Sequence, residues 1–333
     1  MTAATQHRLD GLEPDNLLAF LALLGLLRAL EARDHSQSKG NNCCARAAWD
    51  VESPPLRPVV YLAQAASQEQ LADAAAEGLE ILAVDSDFGG QTDLNYDRES
   101  ARLLLRREVK AASVSARSRA DLLAALMTDA AIKQEKREES IDPTPLCLLF
   151  GQGHQHFLDR LAKVPREPAP PPRGSGKKAV TLSAAECLAE ALFASWHRSD
   201  PTFSFRWDPE EDVRYALMAG DPTVAAYKTG SQHGANRLAV VGLAALTIVP
   251  EKRGGRVRPA VIGGSFGQTG FSLAWPIWRE PATLSAIRAM LSHPDLRKIG
   301  AINHLSIDHV VAARRILVGK FLNFTRARIV DQI

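Results

Sequence analysis

The sequence predicts an α+β protein of two domains, and three observations lead to this prediction. Residues 12–30 form a strongly apolar run, which favours a buried helix in the first domain. A proline- and glycine-rich segment at 165–178 can form neither a helix nor a central strand. After residue 201, short strand-like runs alternate with turns. We therefore expect an N-terminal α+β domain at 1–164, a linker at 165–178, and a basic, strand-rich α+β domain at 179–333.

The first domain is expected to be built on the buried helix. Its apolar residues surround nearly the whole circumference, which is typical of a helix enclosed by protein. Pro14 fits its first turn, and the carboxylates of Glu13 and Asp15 fit the positive end of its dipole. Periodicity and capping patterns predict the other elements of this domain: a strand at 57–62, a helix with a Ser-x-x-Gln capping box at 67–84, and helices at 97–110 and 118–131.

The second domain is expected to contain more strands than helices. Its first helix is predicted at 181–196, because Ser183 and Glu186 have the spacing of a capping box. A second helix is predicted at 284–291. Apolar runs between turns predict the strands: 203–207, 238–249, 257–262 and 271–275.

Composition argues against several classes of protein. With 46% hydrophobic and 23% charged residues in a chain of 333, global disorder is not expected. The four cysteines include one adjacent pair, Cys43 and Cys44, and no Cys-x-x-Cys spacing, so neither a zinc ribbon nor a disulfide framework is expected. The apolar run at 17–27 is too short to span a bilayer, and no export signal precedes it. We therefore expect a cytoplasmic protein that does not bind a membrane.

Charge is distributed unevenly along the chain, although the net charge is only +2. Residues 1–200 contain 23 Lys and Arg against 28 Asp and Glu, whereas residues 201–333 contain 17 against 10. The second part therefore has a surplus of positive charge, and a polyphosphate would be expected to bind there.

Four clusters in this basic part contain cations and amides that suit nucleic-acid binding. They are an Arg-Trp pair, a Gly-Ala-Asn-Arg sequence, a glycine-rich loop flanked by arginines, and a C-terminal run of cations interleaved with phenylalanines. Cationic groups would position phosphates, and the amides of Gln268, Asn236 and Asn323 would contact base edges. The candidate residues are Arg206, Asn236, Arg237, Arg253, Arg256, Arg258, Gln268, Arg314, Arg315, Lys320, Asn323, Arg326 and Arg328.

Each cluster also has a structural interpretation. Trp207 beside Arg206 is typical of a core strand, and residues 232–237 fit an ordinary helix start. The glycine-rich loop at 263–270 fits a flexible hairpin tip, and the C-terminal run fits an element that docks on an acidic neighbour. The loop matches neither a Walker sequence nor a dinucleotide fingerprint, so no nucleotide cofactor is expected.

A second hypothesis is a metal-dependent nuclease or RNA-processing enzyme. His154 and His156, followed by Asp159, could ligate zinc, and the acids at 208–212 could hold Mg²⁺. A turn explains the histidines more simply, and a capped helix start explains the acids. We therefore expect no catalytic or metal-binding residue. A third hypothesis is a structural scaffold subunit whose charges dock another protein.

Several segments carry a resemblance to one family. Residues 9–28 resemble the start of several CRISPR effector proteins of subtype I-G, formerly I-U, where a short strand leads into a buried helix. Three further segments look like motifs of such proteins: Phe205-Arg-Trp-Asp-Pro-Glu-Glu-Asp212, Gly234-Ala-Asn-Arg-Leu238 and Gly319-Lys-Phe-Leu-Asn-Phe-Thr-Arg326.

This resemblance implies a large-subunit-like component of a Cascade-type ribonucleoprotein. Such a subunit would sense the protospacer-adjacent motif, hold unwound target DNA, and present it to a helicase-nuclease recruited in trans, without cutting it. Its partners would be guide RNA, target DNA, and the backbone and RNA-end-binding subunits of the complex. A smaller accessory subunit is also an open alternative, because 333 residues is short for a large subunit.

Overall fold

The computed structural model describes residues 5–37, 42–112, 117–135, 138–148, 156–174, 176–211, 229–318 and 321–330. Its helices are α1 (Leu17–Ser36), α2 (Gln68–Ala83), α3 (Arg98–Ala112), α4 (Ser118–Leu126), α5 (Phe157–Lys163), α6 (Ala184–Phe193), α7 (His233–Leu243) and α8 (Leu284–Leu291). Its strands are β1 (Thr5–Arg8), β2 (Arg46–Asp50), β3 (Arg57–Leu62), β4 (Ile132–Glu135), β5 (Glu138–Ile141), β6 (Asp200–Thr202), β7 (Thr229–Ser231), β8 (Ile248–Arg253), β9 (Arg256–Val261), β10 (Gly264–Gly267), β11 (Gly270–Trp278), β12 (Ile307–Val318), β13 (Phe321–Phe324) and β14 (Arg328–Ile329). The fold is α+β, as predicted.

The strands form small antiparallel sheets. A three-stranded sheet has the order β1-β3-β2, and a five-stranded sheet has the order β10-β11-β12-β13, with β14 also paired to β12. The pairs β4-β5, β6-β7 and β8-β9 are two-stranded ribbons. Most of the strands lie in the second half of the chain, in agreement with the predicted strand-rich C-terminal part.

Helix α1 lies at the centre of the fold. Every residue from Leu17 to Leu30 is buried, which confirms the prediction of an enclosed helix. The helix starts later than predicted, however, because the Asn16 side chain caps it by accepting from the backbone N–H groups of Leu18 and Ala19. Pro14 therefore lies outside the helix.

Helix α7 packs directly on α1 through glycines. A Cβ atom on Gly25 would lie closer than 3.0 Å to the carbonyl oxygen of Leu238, and one on Gly242 would meet the carbonyl oxygen of Leu21 in the same way. The two backbones therefore approach as closely as glycine allows. The prediction of a strand at 238–249 was wrong for its first half, because this run belongs to a buried helix and only then continues into β8.

Tryptophans join the five-stranded sheet to the rest of the fold. The Trp275 ring stacks on Phe20 of α1 with ring centroids 4.9 Å apart, and its Nε1 donates to the Pro14 carbonyl. Trp278 Nε1 donates to the Ala47 carbonyl of β2 at 2.6 Å. One continuous apolar cluster therefore includes residues from both predicted domains. The division into two domains stays a prediction.

The segment predicted as a linker is attached to the fold at both ends. Pro165 is buried at its start, next to the buried Val164. At its other end, Arg173 pairs with Val180 through the backbone and binds the carboxylates of Glu190 and Asp200 through its side chain. These contacts hold the proline-rich segment against α6 and the residues that follow it.

Elements predicted from local signals were more accurate than elements predicted from apolar runs. Both capping boxes are present, at Ser67 with Gln70 and at Ser183 with Glu186. The prediction of a strand at 203–207 was wrong: Arg206 has a left-handed backbone with φ of 62°, and Phe205 stacks on Trp207 in the core.

None of the helices in the described part of the chain combines the length and the apolar character that crossing a membrane requires.

Candidate nucleic-acid interface

The candidate residues of the central region are buried by structural contacts. The Asn236 side chain donates to the Ser231 hydroxyl at 2.9 Å and to the Phe203 carbonyl at 3.3 Å. The Arg237 guanidinium donates to the carbonyls of Pro165 and Pro168 at 3.2 and 3.0 Å. Burial lowers the pKa of Arg237. Both side chains stabilise the fold at α7, and neither reaches the surface.

Arg206 is also buried, next to the stacked aromatic pair. Burial lowers the pKa of its guanidinium, and the carboxylate of Glu211 raises it in part. Its backbone N–H donates to the Ser204 hydroxyl, which in turn donates to Glu211. This arrangement places Arg206 in the core around Trp207, as the structural interpretation of this cluster suggested.

Arg326 joins the C-terminal run to the start of α1. Its guanidinium binds Glu210 at 2.7 Å, Glu13 at 2.9 Å and Asp15 at 2.8 Å. Partial burial lowers the pKa of Arg326, but the hydrogen bonds to these carboxylates raise it by more. The pKa of Arg326 is therefore higher than its usual value. Three carboxylates surround this cation, so it is not available to a phosphate. The acids predicted to favour the dipole of α1 bind this arginine.

The β8-β9 hairpin carries the most exposed group of candidate cations. Strand β8 ends at Arg253 and β9 starts at Arg256, and the turn between them is Gly254-Gly255, with φ of 56° and 76°. A side chain at either glycine would meet nothing within 4 Å, so the tip projects from the fold. We call residues 252–258 the basic arm.

Like charges face each other across the basic arm. Arg253 lies directly opposite Arg256 in the register of the hairpin, and both are exposed. Within the described residues, neither these two cations nor Lys252 and Arg258 form an ion pair. The Arg258 guanidinium lies over the Phe266 ring of β10, 5.2 Å from its centroid. Directly opposed like charges destabilise a hairpin, and an anion bound between them would remove this cost.

A second group of candidates lies on one face of the five-stranded sheet. Directly paired residues of neighbouring strands point to the same face, and so do residues two apart on one strand. Ser265 pairs with Ser272, which pairs with Arg314, and Ala312 pairs with Arg328. Arg314 and Arg328 are exposed, and neither forms an ion pair in the part of the chain that the structure describes. We call this side the polar face, and its polar residues include Ser265, Ser272, Arg314, Asn323 and Arg328.

Arg297 is a structural cation beside this face that the sequence did not indicate. It follows α8 and donates to the Ser272 hydroxyl at 3.1 Å and to the Gly263 carbonyl at 2.8 Å. Burial lowers the pKa of its guanidinium. Nothing in the sequence around residue 297 signals this position, because the contact depends on how the loop after α8 folds back onto β11. Lys252 was missed too, although its place next to Arg253 was a usable signal.

The neighbouring arginines of β12 have different surroundings. Arg315 points to the opposite face from Arg314, donates to the Pro145 carbonyl at 3.0 Å, and lies 5.7 Å from the centroid of the Phe271 ring. Burial lowers the pKa of Arg315, and the nearby Arg258 cation lowers it further. Arg315 is therefore mainly a packing residue. Gln268 is exposed in the turn between β10 and β11, and Lys320 lies outside the described residues.

Asn323 is buried on the polar face without a hydrogen bond. It is 6% exposed, and its Oδ1 atom has no hydrogen-bond partner. An unsatisfied buried polar atom costs about 1–3 kcal/mol. Asn323 thus differs from Asn236, whose amide is bonded inside the fold.

The residues proposed above as metal ligands either contact other side chains or lie outside the described residues. Asp208 accepts from Asn16 at 2.9 Å and from Arg198 at 2.7 Å, and Glu210 binds Arg326. His154 and Asp212 are not among the described residues, and His156 lies near Asp93. In the described ranges, no three His, Cys, Asp or Glu side chains are grouped as metal ligands.

Comparisons with known proteins leave these sites to be interpreted from their geometry. No protein-family model matches the chain, and it matches neither a curated protein nor a solved structure.

Proposed function

We propose that this chain is a non-catalytic nucleic-acid-binding subunit of a type I CRISPR RNA-guided surveillance complex. The basic arm and the polar face of the five-stranded sheet would form its nucleic-acid interface. Guide RNA and target DNA would be its ligands, the backbone and RNA-end-binding subunits its neighbours, and a recruited helicase-nuclease would do the cutting. Such a complex would act in the cytoplasm.

The observation that carries the nucleic-acid part of this proposal is the opposed pair Arg253 and Arg256. Both side chains are exposed, a Cβ atom at either glycine of the turn would meet nothing within 4 Å, and the register places the like charges face to face. A polyphosphate bound along the arm would convert this repulsion into two favourable contacts and release counterions.

The polar face extends this positive surface. Arg314 and Arg328 lie on it, and Ser265 and Ser272 add hydroxyls that can donate to phosphate oxygens. No Asp or Glu occurs among residues 309–330 to oppose binding there. Backbone contacts of this kind fix the position of a strand of DNA without reading its sequence.

The role within a CRISPR complex rests on the motif resemblance alone. Two of the segments that carry it are built into the fold: residues 205–211 contribute Trp207 to the core, and residues 234–238 form the part of α7 that packs on Gly25. A subunit that senses a protospacer-adjacent motif and holds unwound DNA needs an exposed cationic surface, and the basic arm would supply it.

The test is the salt dependence of DNA binding by a variant with Arg253→Ala and Arg256→Ala. We expect the slope of log affinity against log salt to decrease by about two units, one for each lost phosphate contact. Fluorescence anisotropy with single- and double-stranded oligonucleotides over a salt series measures it.

The matched control removes two exposed arginines that are already paired. Arg98 and Arg107 lie on α3, where Arg98 binds Glu139 and Arg107 binds Glu108. Arg98→Ala with Arg107→Ala should leave the slope unchanged. The proposal fails if the wild-type chain binds no oligonucleotide, or if the arm variant and the control behave alike.

A further inference from the structure

The Asn323 carboxamide has no use within the fold. Among the described residues, neither its oxygen nor its nitrogen takes part in a hydrogen bond, and Oδ1 is shielded from solvent. Gln232 is different, because its Nε2 is unpaired while its Oε1 accepts from the His197 backbone. A buried amide oxygen that accepts no hydrogen bond is rare in folded proteins and calls for an explanation, and a binding site is one.

The surroundings of Asn323 combine three kinds of chemistry. Ile316 lies directly opposite in the β12-β13 register and is 36% exposed, and Val318 on the same face is 39% exposed. Arg314 lies two residues before Ile316 on this face and is unpaired in the described part of the chain. An amide, an exposed aliphatic surface and a free cation therefore lie side by side.

These three features match the parts of a nucleotide. The amide can pair with a base edge, the aliphatic side chains can pack against the face of the base, and the guanidinium can bind the phosphate. An asparagine amide offers a donor and an acceptor next to each other, and this pattern fits the N6 amino group and N7 of adenine.

We propose that Asn323 binds an unpaired adenine base, an inference that rests on the proposed nucleic-acid-binding function. Oδ1 accepts from the adenine amino group, Nδ2 donates to N7, and Arg314 holds the adjacent phosphate. Because Oδ1 is shielded in the free chain, the base enters with a local rearrangement of the side chains around Asn323. A base stacked inside a duplex cannot reach so deep, so the ligand is single-stranded.

The test compares wild type with Asn323→Leu on short single-stranded oligonucleotides of uniform sequence, one for each base. Leucine has nearly the shape of asparagine but no polar atom. We expect wild type to bind the adenine strand about fivefold or more tightly than the others, the lower end of what a bidentate amide contact provides. In the variant this preference should disappear, while its midpoint of urea unfolding stays the same or rises, because an unsatisfied polar group is removed.

The control is Asn95→Leu, which changes an exposed asparagine in the N-terminal half and should keep the adenine preference. The inference is overturned if wild type binds all four strands equally, or if Asn323→Leu keeps the preference. Equal affinity for all four strands with a steep salt dependence would contradict the adenine contact of Asn323 and leave the proposed nucleic-acid-binding function intact. Absence of binding to every strand would contradict both.

Discussion

Arginines of the helical centre and of the strand-rich region play opposite parts in this protein. Around α1 and α7, Arg237 is buried and bonded to backbone carbonyls, and Arg326 is surrounded by carboxylates. On the basic arm, Arg253 and Arg256 face each other and are exposed. The same residue type therefore stabilises one region and leaves an unsatisfied charge in the other. The number of cations in a segment therefore does not locate a binding surface, whereas the partners of those cations do.

A substitution at Gly25 should reveal how tightly the helical centre is packed. Gly25→Ala would place a methyl group against the Leu238 carbonyl oxygen, where no space exists. We expect a loss of about 3 kcal/mol or more in the free energy of unfolding, because two helix backbones would have to separate. Urea unfolding followed by circular dichroism measures it. Gly267→Ala in β10 is the control, since its added methyl group would come no closer than 3.7 Å to another atom, and it should change stability by less than about 0.5 kcal/mol. Equal stability of the two variants would contradict the close packing of α1 and α7.

The second prediction separates the two classes of arginine. Arg237→Met leaves the buried Pro165 carbonyl and the partly buried Pro168 carbonyl without this donor, and we expect a loss of about 2 kcal/mol in stability with no change in DNA affinity per folded molecule. Arg253→Ala should do the reverse, weakening DNA binding and changing stability by less than about 0.5 kcal/mol. Both quantities are measured on each variant, and a loss of affinity in Arg237→Met would show that this buried arginine also takes part in DNA binding.

The third prediction uses two adjacent residues of one strand. Arg315→Ala loses a hydrogen bond to Pro145 and the contact with Phe271, so we expect about 1 kcal/mol lower stability. Arg314→Ala should leave stability unchanged and reduce the salt slope of DNA binding by about one unit. If the two variants have the same effect on binding, the polar face is not the side of the sheet that contacts DNA.

The smallest effect concerns the pH dependence of the Arg326 contacts. A hydrogen bond and the charge of Arg326 hold the pKa of Glu210 below its usual value. A carboxyl group with a lowered pKa stabilises the folded state above its unfolded pKa of about 4.5, and this stabilisation is lost as the pH falls through the folded value. Glu210→Gln should therefore be less stable than wild type by about 0.5 kcal/mol at neutral pH, with the difference vanishing in acid. Urea unfolding at both pH values measures it, and a difference that persists in acid would mean that this ion pair does not stabilise the fold.

Local signals in the sequence were sufficient to predict part of the fold. The capping boxes at Ser67 and Ser183 depend on residues three positions apart, and helix α8 was predicted with its observed bounds. The run at 238–249 was not predictable in this way, since a short apolar run fits a buried strand and a buried helix equally. Its helical state depends on close contact with α1, which is far away in the sequence.

The same limit applies to the candidate interface. The hairpin with Arg253 and Arg256 could be anticipated, because Gly254-Gly255 between two β-like runs is a local signal. The burial of Arg237 and the pairing of Arg326 with Glu13 could not, since their partners are distant along the chain. Asn323 was predicted as a contact to a base, and this role stays a prediction.

The contact between α1 and α7 has a consequence for how the chain acquires its structure during synthesis. Gly25 leaves the ribosome long before Leu238, so the most apolar helix of the protein is made well before the surface that covers it. Contacts between such distant segments slow folding, and uncovered apolar surface favours aggregation. We expect nascent chains that stop short of α7 to bind chaperones, and release from them to coincide with the emergence of residue 243.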